Sequence, residues 1–211
     1  MSDSLLNALT ILLVVIDPVG VAMTFGALTV GMAPEQRRLT AVRGVLLAAA
    51  ILYAFALTGN SFLRALGIGL PAFRIAGGIL LFFLAMDMLL ARKSGLSGAT
   101  GQEQDEAGRR ADLSVFPLAI PLIAGPGAIT STVLLMGQAW PRPWETAGLL
   151  AMIAVALALT LAILLTADRV MHWLGVTGSN VVSRVLGIVL AALAVQFVLD
   201  GLHGAGLIRG G

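Results

Sequence analysis

The chain has 211 residues, of which 58% are hydrophobic and only 11% charged, and its mean hydropathy is +0.98. A soluble domain carries about 25% charged residues, so this chain lacks the polar surface to cover a globule in water and is read as a polytopic membrane protein. The net charge is only +2 with the cations in loops, which argues against nucleic acid as a partner, and the absence of cysteine excludes disulfides, thiolate metal sites and dithiol redox chemistry.

The opening MSDSLLNALT has neither the basic region nor the small-residue cleavage site of a signal peptide and reads as the start of a first span. Runs long enough to cross a bilayer, about 20 apolar residues each, fall roughly at 4–32, 43–63, 70–91, 113–139, 146–167 and 182–201. Between the third and fourth lies RKSGLSGATGQEQDEAGRR, residues 92–110, Gly-rich and mixed in charge, which reads as a flexible surface linker. The expected fold is all-α: one membrane domain over 1–211, with a three-helix repeat at 1–91, a cytoplasmic linker at 92–112 and a second three-helix repeat at 113–211.

The first and fourth spans carry helix breakers near their middles. In LLVVIDPVGVAMTFGAL, residues 12–28, an aspartate and a proline interrupt an apolar run. An uninterrupted helix would carry about 2.5–3.5 kcal/mol for the buried Asp and about 3 kcal/mol for the Pro. Both costs fall if the helix stops and restarts. Asp17 is then the N-cap, its carboxylate accepting a free amide of the next turn, and Pro18 takes the first helical position, where a missing N–H is no loss. A helix from Leu5 to Asp17 rises about 18 Å, so the restart lies deep in a core roughly 30 Å thick. FPLAIPLIAGPGAITST, residues 116–132, repeats the device, with Gly125 at the cap and Pro126 at the first position.

IDPVGVAMT (16–24) aligns with AGPGAITST (124–132), Leu66-Gly67 with Leu174-Gly175, and the run from Arg74 to Leu80 with the run from Arg184 to Leu190. Three spans per half is an odd number, so the second half enters the membrane from the opposite side. The two restarted helices then run away from the midplane in opposite directions, and both point their N-termini, with free N–H groups and partial positive charge, inward. Irregular backbone at that depth needs protein or a wet cavity beside it, so the two breaks are expected to face each other. Asp17 with Pro18 and Gly20 on one side would hold a cation or proton. Gly125, Pro126 and Gly127, with the hydroxyls of Thr130, Ser131 or Thr132, would hold an anion. That is a dipolar site suited to a small zwitterion. Nine cations fall on the side of the linker (Arg37, Arg38, Arg43, Arg92, Lys93, Arg109, Arg110, Arg169, Arg184) against four opposite (Arg64, Arg74, Arg142, Arg209), which places both termini outside the cytoplasm.

Other polar residues carry blander expectations. Asp87 pairs with Arg92 or Lys93 at the interface, Arg74 and Arg184 snorkel, and Gln196 makes a helix-to-helix hydrogen bond. His172 and His203 sit near helix ends and form no metal set. Gly77, Gly78 and Gly187 permit close helix packing. No cofactor and no metal are expected.

DPVG in the first span, RIAGGILLFFLAMDML in the third and PLAIPLIAGPGAIT in the fourth closely resemble the MarC family of bacterial and archaeal membrane proteins, over nearly the whole chain. Many members have a polar residue, often Asn, after the DPVG, where Val21 stands here. The resemblance implies six spans in the cytoplasmic membrane and a place in the broad LysE-like transporter grouping. Some members are assigned as neutral amino acid transporters driven by a cation gradient, and others were named for antibiotic resistance.

The expected function is secondary transport of small neutral amino acids such as glycine or alanine, coupled to a proton or cation gradient, with the lipid bilayer as environment and no enzymatic activity. The alternatives are export of another small or drug-like solute, and a non-transporting membrane scaffold. An intramembrane aspartyl protease would need a second midplane Asp, and a divalent metal exporter would need clustered acidic or His ligands at depth.

Overall fold

The computed structural model describes residues 2–90, 113–139 and 142–208. The expected linker at 92–110 lies outside them. Eight helical segments follow in order: α1 (Ser2–Ile16), α2 (Pro18–Leu28), α3 (Pro34–Ala65), α4 (Leu70–Leu90), α5 (Ser114–Ile123), α6 (Pro126–Ala139), α7 (Pro143–Leu165) and α8 (Ala167–Gly204). The described residues contain no strand. Among the described residues five helical stretches are long and apolar enough to cross a membrane, or six when α5 and α6, bent by 55°, count as one; α1 and α2 together form the 25-residue stretch Ser4–Leu28.

Three boundaries differ from the hydrophobic count, each for a reason of helix chemistry. α3 begins at Pro34 and not at 43, because Pro34 sits in its first turn with Glu35 beside it, a helix start set in a polar stretch. α7 begins at Pro143 for the same reason, with Arg142 and Glu145 ion-paired at 2.5 Å. α8 starts at Ala167, ahead of its membrane-length part Asn180–Gly204, and is interrupted at Gly175, whose φ of 59° needs a residue without Cβ.

The halves interlock. α3 packs on α5 and α6, while α7 packs on α1 and α2; α4 lies on α6, and α8 on α2. The largest interface joins the third helices of the two halves, α4 and α8. A Cβ on Gly201 would fall 2.9 Å from the Pro71 carbonyl, one on Gly78 2.7 Å from the Ala194 carbonyl, and one on Gly187 3.3 Å from the Ala85 carbonyl. These pairings ascend along α4 as they descend along α8, so the two helices are antiparallel. Small residues let the backbones approach where lipid gives no hydrophobic drive to pack. Gly78→Ala should therefore destabilise the protein by about 1–3 kcal/mol through overpacking, read as a lowered melting midpoint in detergent; an unchanged midpoint would refute the close approach.

The same contacts sort the helix ends onto two faces. Leu5 of α1 lies against Gly148 near the start of α7, and Pro71 of α4 against Gly204 at the end of α8. On the other face Gly44 of α3 meets the Ser114 carbonyl at the start of α5. Trp144 at the start of α7 and Trp173 beyond its end are 80% and 91% exposed. They mark opposite ends of that span, where indole rings favour the interface. Tyr53 donates from α3 to the Leu150 carbonyl of α7 at 2.9 Å and ties the second helices together.

Candidate functional site

At the first break one residue leaves the helix. Asp17 has φ 47° and ψ 68°, and it is the one non-glycine residue with positive φ among the described residues. An L-residue pays for that conformation, and Asp tolerates it because its short side chain bonds locally. Here the Gly20 amide donates to Asp17 Oδ1 at 3.1 Å, and Pro18 occupies the first turn. The expected cap is thus present. Ordinary bonding resumes on both sides, from the Asp17 amide to the Leu13 carbonyl at 3.0 Å and from the Val21 amide to the Asp17 carbonyl at 2.9 Å. Gly20 has its own reason: a Cβ there would collide with the Asp17 carboxylate.

Sequence reasoning missed Ser183. Its side chain, from α8, lies beside the half-buried Asp17 side chain. The repeat gave no hint, because the matching residue in the first half is Phe73; the one signal was a hydroxyl in the first apolar turns of the sixth span.

The second break is more severe. α5 is wound wider than an α-helix: the Leu118 and Ala124 amides bond carbonyls five residues back, Leu113 at 3.4 Å and Ala119 at 2.9 Å. Phe116 and Ile120 are extended and precede cis Pro117 and cis Pro121. The prolines noted in the sequence therefore reshape the whole approach to the break as well as its tip. At the tip a Cβ on Gly125 would collide with the Pro121 carbonyl, a backbone atom that cannot swing aside. The Ile129 amide bonds the Gly125 carbonyl at 3.0 Å, so Gly125 caps α6. Pro126 is exposed, Gly127 and Ala128 are buried, and the latter two present first-turn amides with no carbonyl behind them.

The three hydroxyls beyond are all buried, Thr130 at 5% and Ser131 and Thr132 at 0% exposure. Thr130 turns its methyl onto Gly77 of α4. Ser131 Oγ and Thr132 Oγ1 have no hydrogen-bond partner. Elsewhere in the fold Thr10, Thr24, Thr58 and Thr160 each return their hydroxyl to the carbonyl four residues back. A buried unpaired hydroxyl costs about 1–3 kcal/mol, so two adjacent ones ask for a polar occupant.

The two breaks meet. A Cβ on Gly127 would lie 3.1 Å from Val15 Cγ1, two residues before Asp17, and 2.9 Å from Leu81 Cδ2 of α4. α1 thus ends against the first turn of α6. Asp17 lies two residues beyond this contact with its carboxylate on the Gly20 amide, and the side chains around Gly127 are the apolar Val15, Leu81 and Leu84.

The remaining expectations resolve as follows. Gln196 donates to Asp200 within its own helix at 2.7 Å, on an exposed face, and not across to another helix, because the carboxylate four residues on is the nearer partner. Arg184 is exposed, whereas Arg74 is half-buried with its Nε unpartnered. His203 Nδ1 lies 3.0 Å from the Leu199 carbonyl. Arg92 and Lys93, the expected partners of Asp87, are outside the described residues. Among the described residues no three His, Asp or Glu side chains group as a metal site.

Apolar helices of membrane length, two of them interrupted where they meet, define a polytopic α-helical membrane protein. The chain belongs to the MarC family of integral membrane proteins, whose family profile matches residues 2–206. It is 36% identical over 192 residues to the UPF0056 membrane protein MJ1677 of Methanocaldococcus jannaschii, covering 90% of this chain and 92% of that protein. It is 34% identical over 197 residues to the UPF0056 membrane protein YhcE of Escherichia coli (92% and 89% covered). With the UPF0056 membrane protein YvbG of Bacillus subtilis the figures are 34% over 193 residues (92% and 91% covered). No solved structure matches the chain.

Proposed function

We propose that this protein is a secondary transporter of small neutral amino acids, glycine or alanine in size, driven by a cation or proton gradient across the cytoplasmic membrane. The observation that carries the reading is the junction of the two breaks, where Val15 packs on Gly127, with charge on one wall only. The Asp17 side takes positive charge, either the ammonium group of the solute or the coupling cation. The first-turn amides of α6 and the unpartnered hydroxyls of Ser131 and Thr132 take the carboxylate. Gly127 is closely packed by Val15, Leu81 and Leu84, which suits a solute of few atoms better than a drug-like one. No enzymatic group is assigned.

The interlocked packing and the antiparallel α4–α8 pair suit two inverted halves that rock against each other. By the excess of cations in the sequence on the side of the starts of α3 and α5, that side is cytoplasmic and both termini are outside. Purified protein in proteoliposomes should accumulate radiolabelled glycine or alanine when an inward gradient is imposed. Absence of gradient-driven flux for every small amino acid, from vesicles with verified insertion, would end this reading.

A further inference from the structure

Hydrogen-bond acceptors outnumber donors at the first break. Pro18 has no N–H, so the Val14 carbonyl lacks the amide that a continuous helix would supply. The Gly20 amide has turned to the Asp17 carboxylate, which leaves the Ile16 carbonyl in the same position. α1 stops at Ile16 and α2 starts at Pro18, so the Val15 carbonyl has no helical donor either. Against three carbonyls and a carboxylate stand two first-turn amides, that of Gly20, already used, and that of Val19, with the Ser183 hydroxyl of α8 close by. The end of α1 adds its partial negative charge. Lipid offers no donor to compensate. A proton on Asp17 would satisfy one acceptor, whereas a dehydrated metal cation draws on several oxygens at once.

We infer that the first break is a sodium site whose oxygen ligands are the Asp17 carboxylate, the carbonyls of Val14, Val15 and Ile16, and the Ser183 hydroxyl. The donor set is hard and all-oxygen, with a single formal charge, which fits a monovalent ion and disfavours the softer transition metals. Unwound carbonyls and the C-terminal ends of half-helices serve this purpose in transporters generally. Because Ser183 belongs to the second half and the other ligands to the first, an ion bound here favours the arrangement of the halves that brings them together. The ion would shift the equilibrium between packings by its difference in affinity for them. The inference names the coupling ion of the proposed transporter and rests on that reading for its role in transport, but not for binding.

The test uses the purified full chain in detergent with no amino acid present. Sodium chloride is titrated against choline chloride at constant ionic strength, and the melting midpoint is followed. The wild type should show a saturable rise with sodium and none with choline. Asp17→Asn should lose the rise. Ser183→Ala should weaken the apparent sodium affinity by about tenfold, the effect of one hydrogen bond to a charged group, and Ser183→Thr should restore it. A wild-type midpoint identical in sodium and choline overturns the inference, as does a full sodium response in Asp17→Asn. Uptake of glycine driven by a proton gradient in sodium-free vesicles, with no sodium response, would sink the sodium site and leave the transporter standing. A sodium response with no flux of any amino acid would do the reverse.

Discussion

Asp17→Asn should reduce gradient-driven amino acid uptake by about a hundredfold or more while the protein remains folded in the membrane. Asparagine is as good an N-cap as aspartate and tolerates the left-handed backbone, so the bond from the Gly20 amide survives the exchange. What is lost is the charge. Removing one partner of a desolvated, hydrogen-bonded charge pair costs about 2–5 kcal/mol, and each 1.36 kcal/mol is tenfold in rate. The measurement is initial uptake in proteoliposomes, normalised to inserted protein, beside the melting midpoint. A variant with the wild-type midpoint and near-wild-type flux would reduce Asp17 to a helix cap.

Gly125→Ala should damage both stability and transport. The added methyl would meet the Pro121 carbonyl oxygen. Relief requires the backbone on one side of the break to move, and such overpacking costs about 1–3 kcal/mol. Movement there also shifts the start of α6 and its free amides away from the end of α1. Substitutions at Gly31, where nothing lies near the added atom but φ is 82°, give the comparison: strain in a turn without displacement of the junction. Gly125→Ala should lower the melting midpoint and abolish uptake, while Gly31→Asn, a residue tolerant of that φ, should leave uptake near normal. Full activity in Gly125→Ala would show that the tip of the second break plays no part in binding.

Much of this architecture follows from local chemistry, and that part was legible. Asp17-Pro18 reads as a cap and first turn because both residues gain from a helix start and lose in a helix interior, and the structure places them so. The glycines of the α4–α8 interface were legible as small residues in a membrane, although their partners were not. What escaped was set by long-range placement. Ser183 lies far along the chain from Asp17 and has no counterpart in the repeat. The break in α5 at the extended Phe116 and Ile120, each just before a proline, is not conveyed by a count of breakers. The donorless carbonyls of Val14, Val15 and Ile16 follow from Pro18 and Gly20, but a sequence shows the free amides of a helix start more readily than the free carbonyls before it. The hydroxyls of Ser131 and Thr132 were singled out for their type and position, and only packing shows that both are sealed and unpaired.

The meeting of the two breaks is tested most directly by cross-linking. The chain has no cysteine, so a paired replacement reports without background. Val15→Cys with Gly127→Cys should form a disulfide in native membranes under mild oxidant, since a Cβ at 127 would lie 3.1 Å from Val15 Cγ1, the close approach that a bond between Cβ atoms roughly 3.5–4.5 Å apart requires. Val30→Cys with Gly127→Cys, whose first position lies exposed past the end of α2, should not. Efficient bonding of the first pair alone is the predicted result. No bonding of the first pair under conditions that oxidise an engineered control pair within the α4–α8 interface would place the breaks apart and contradict the site.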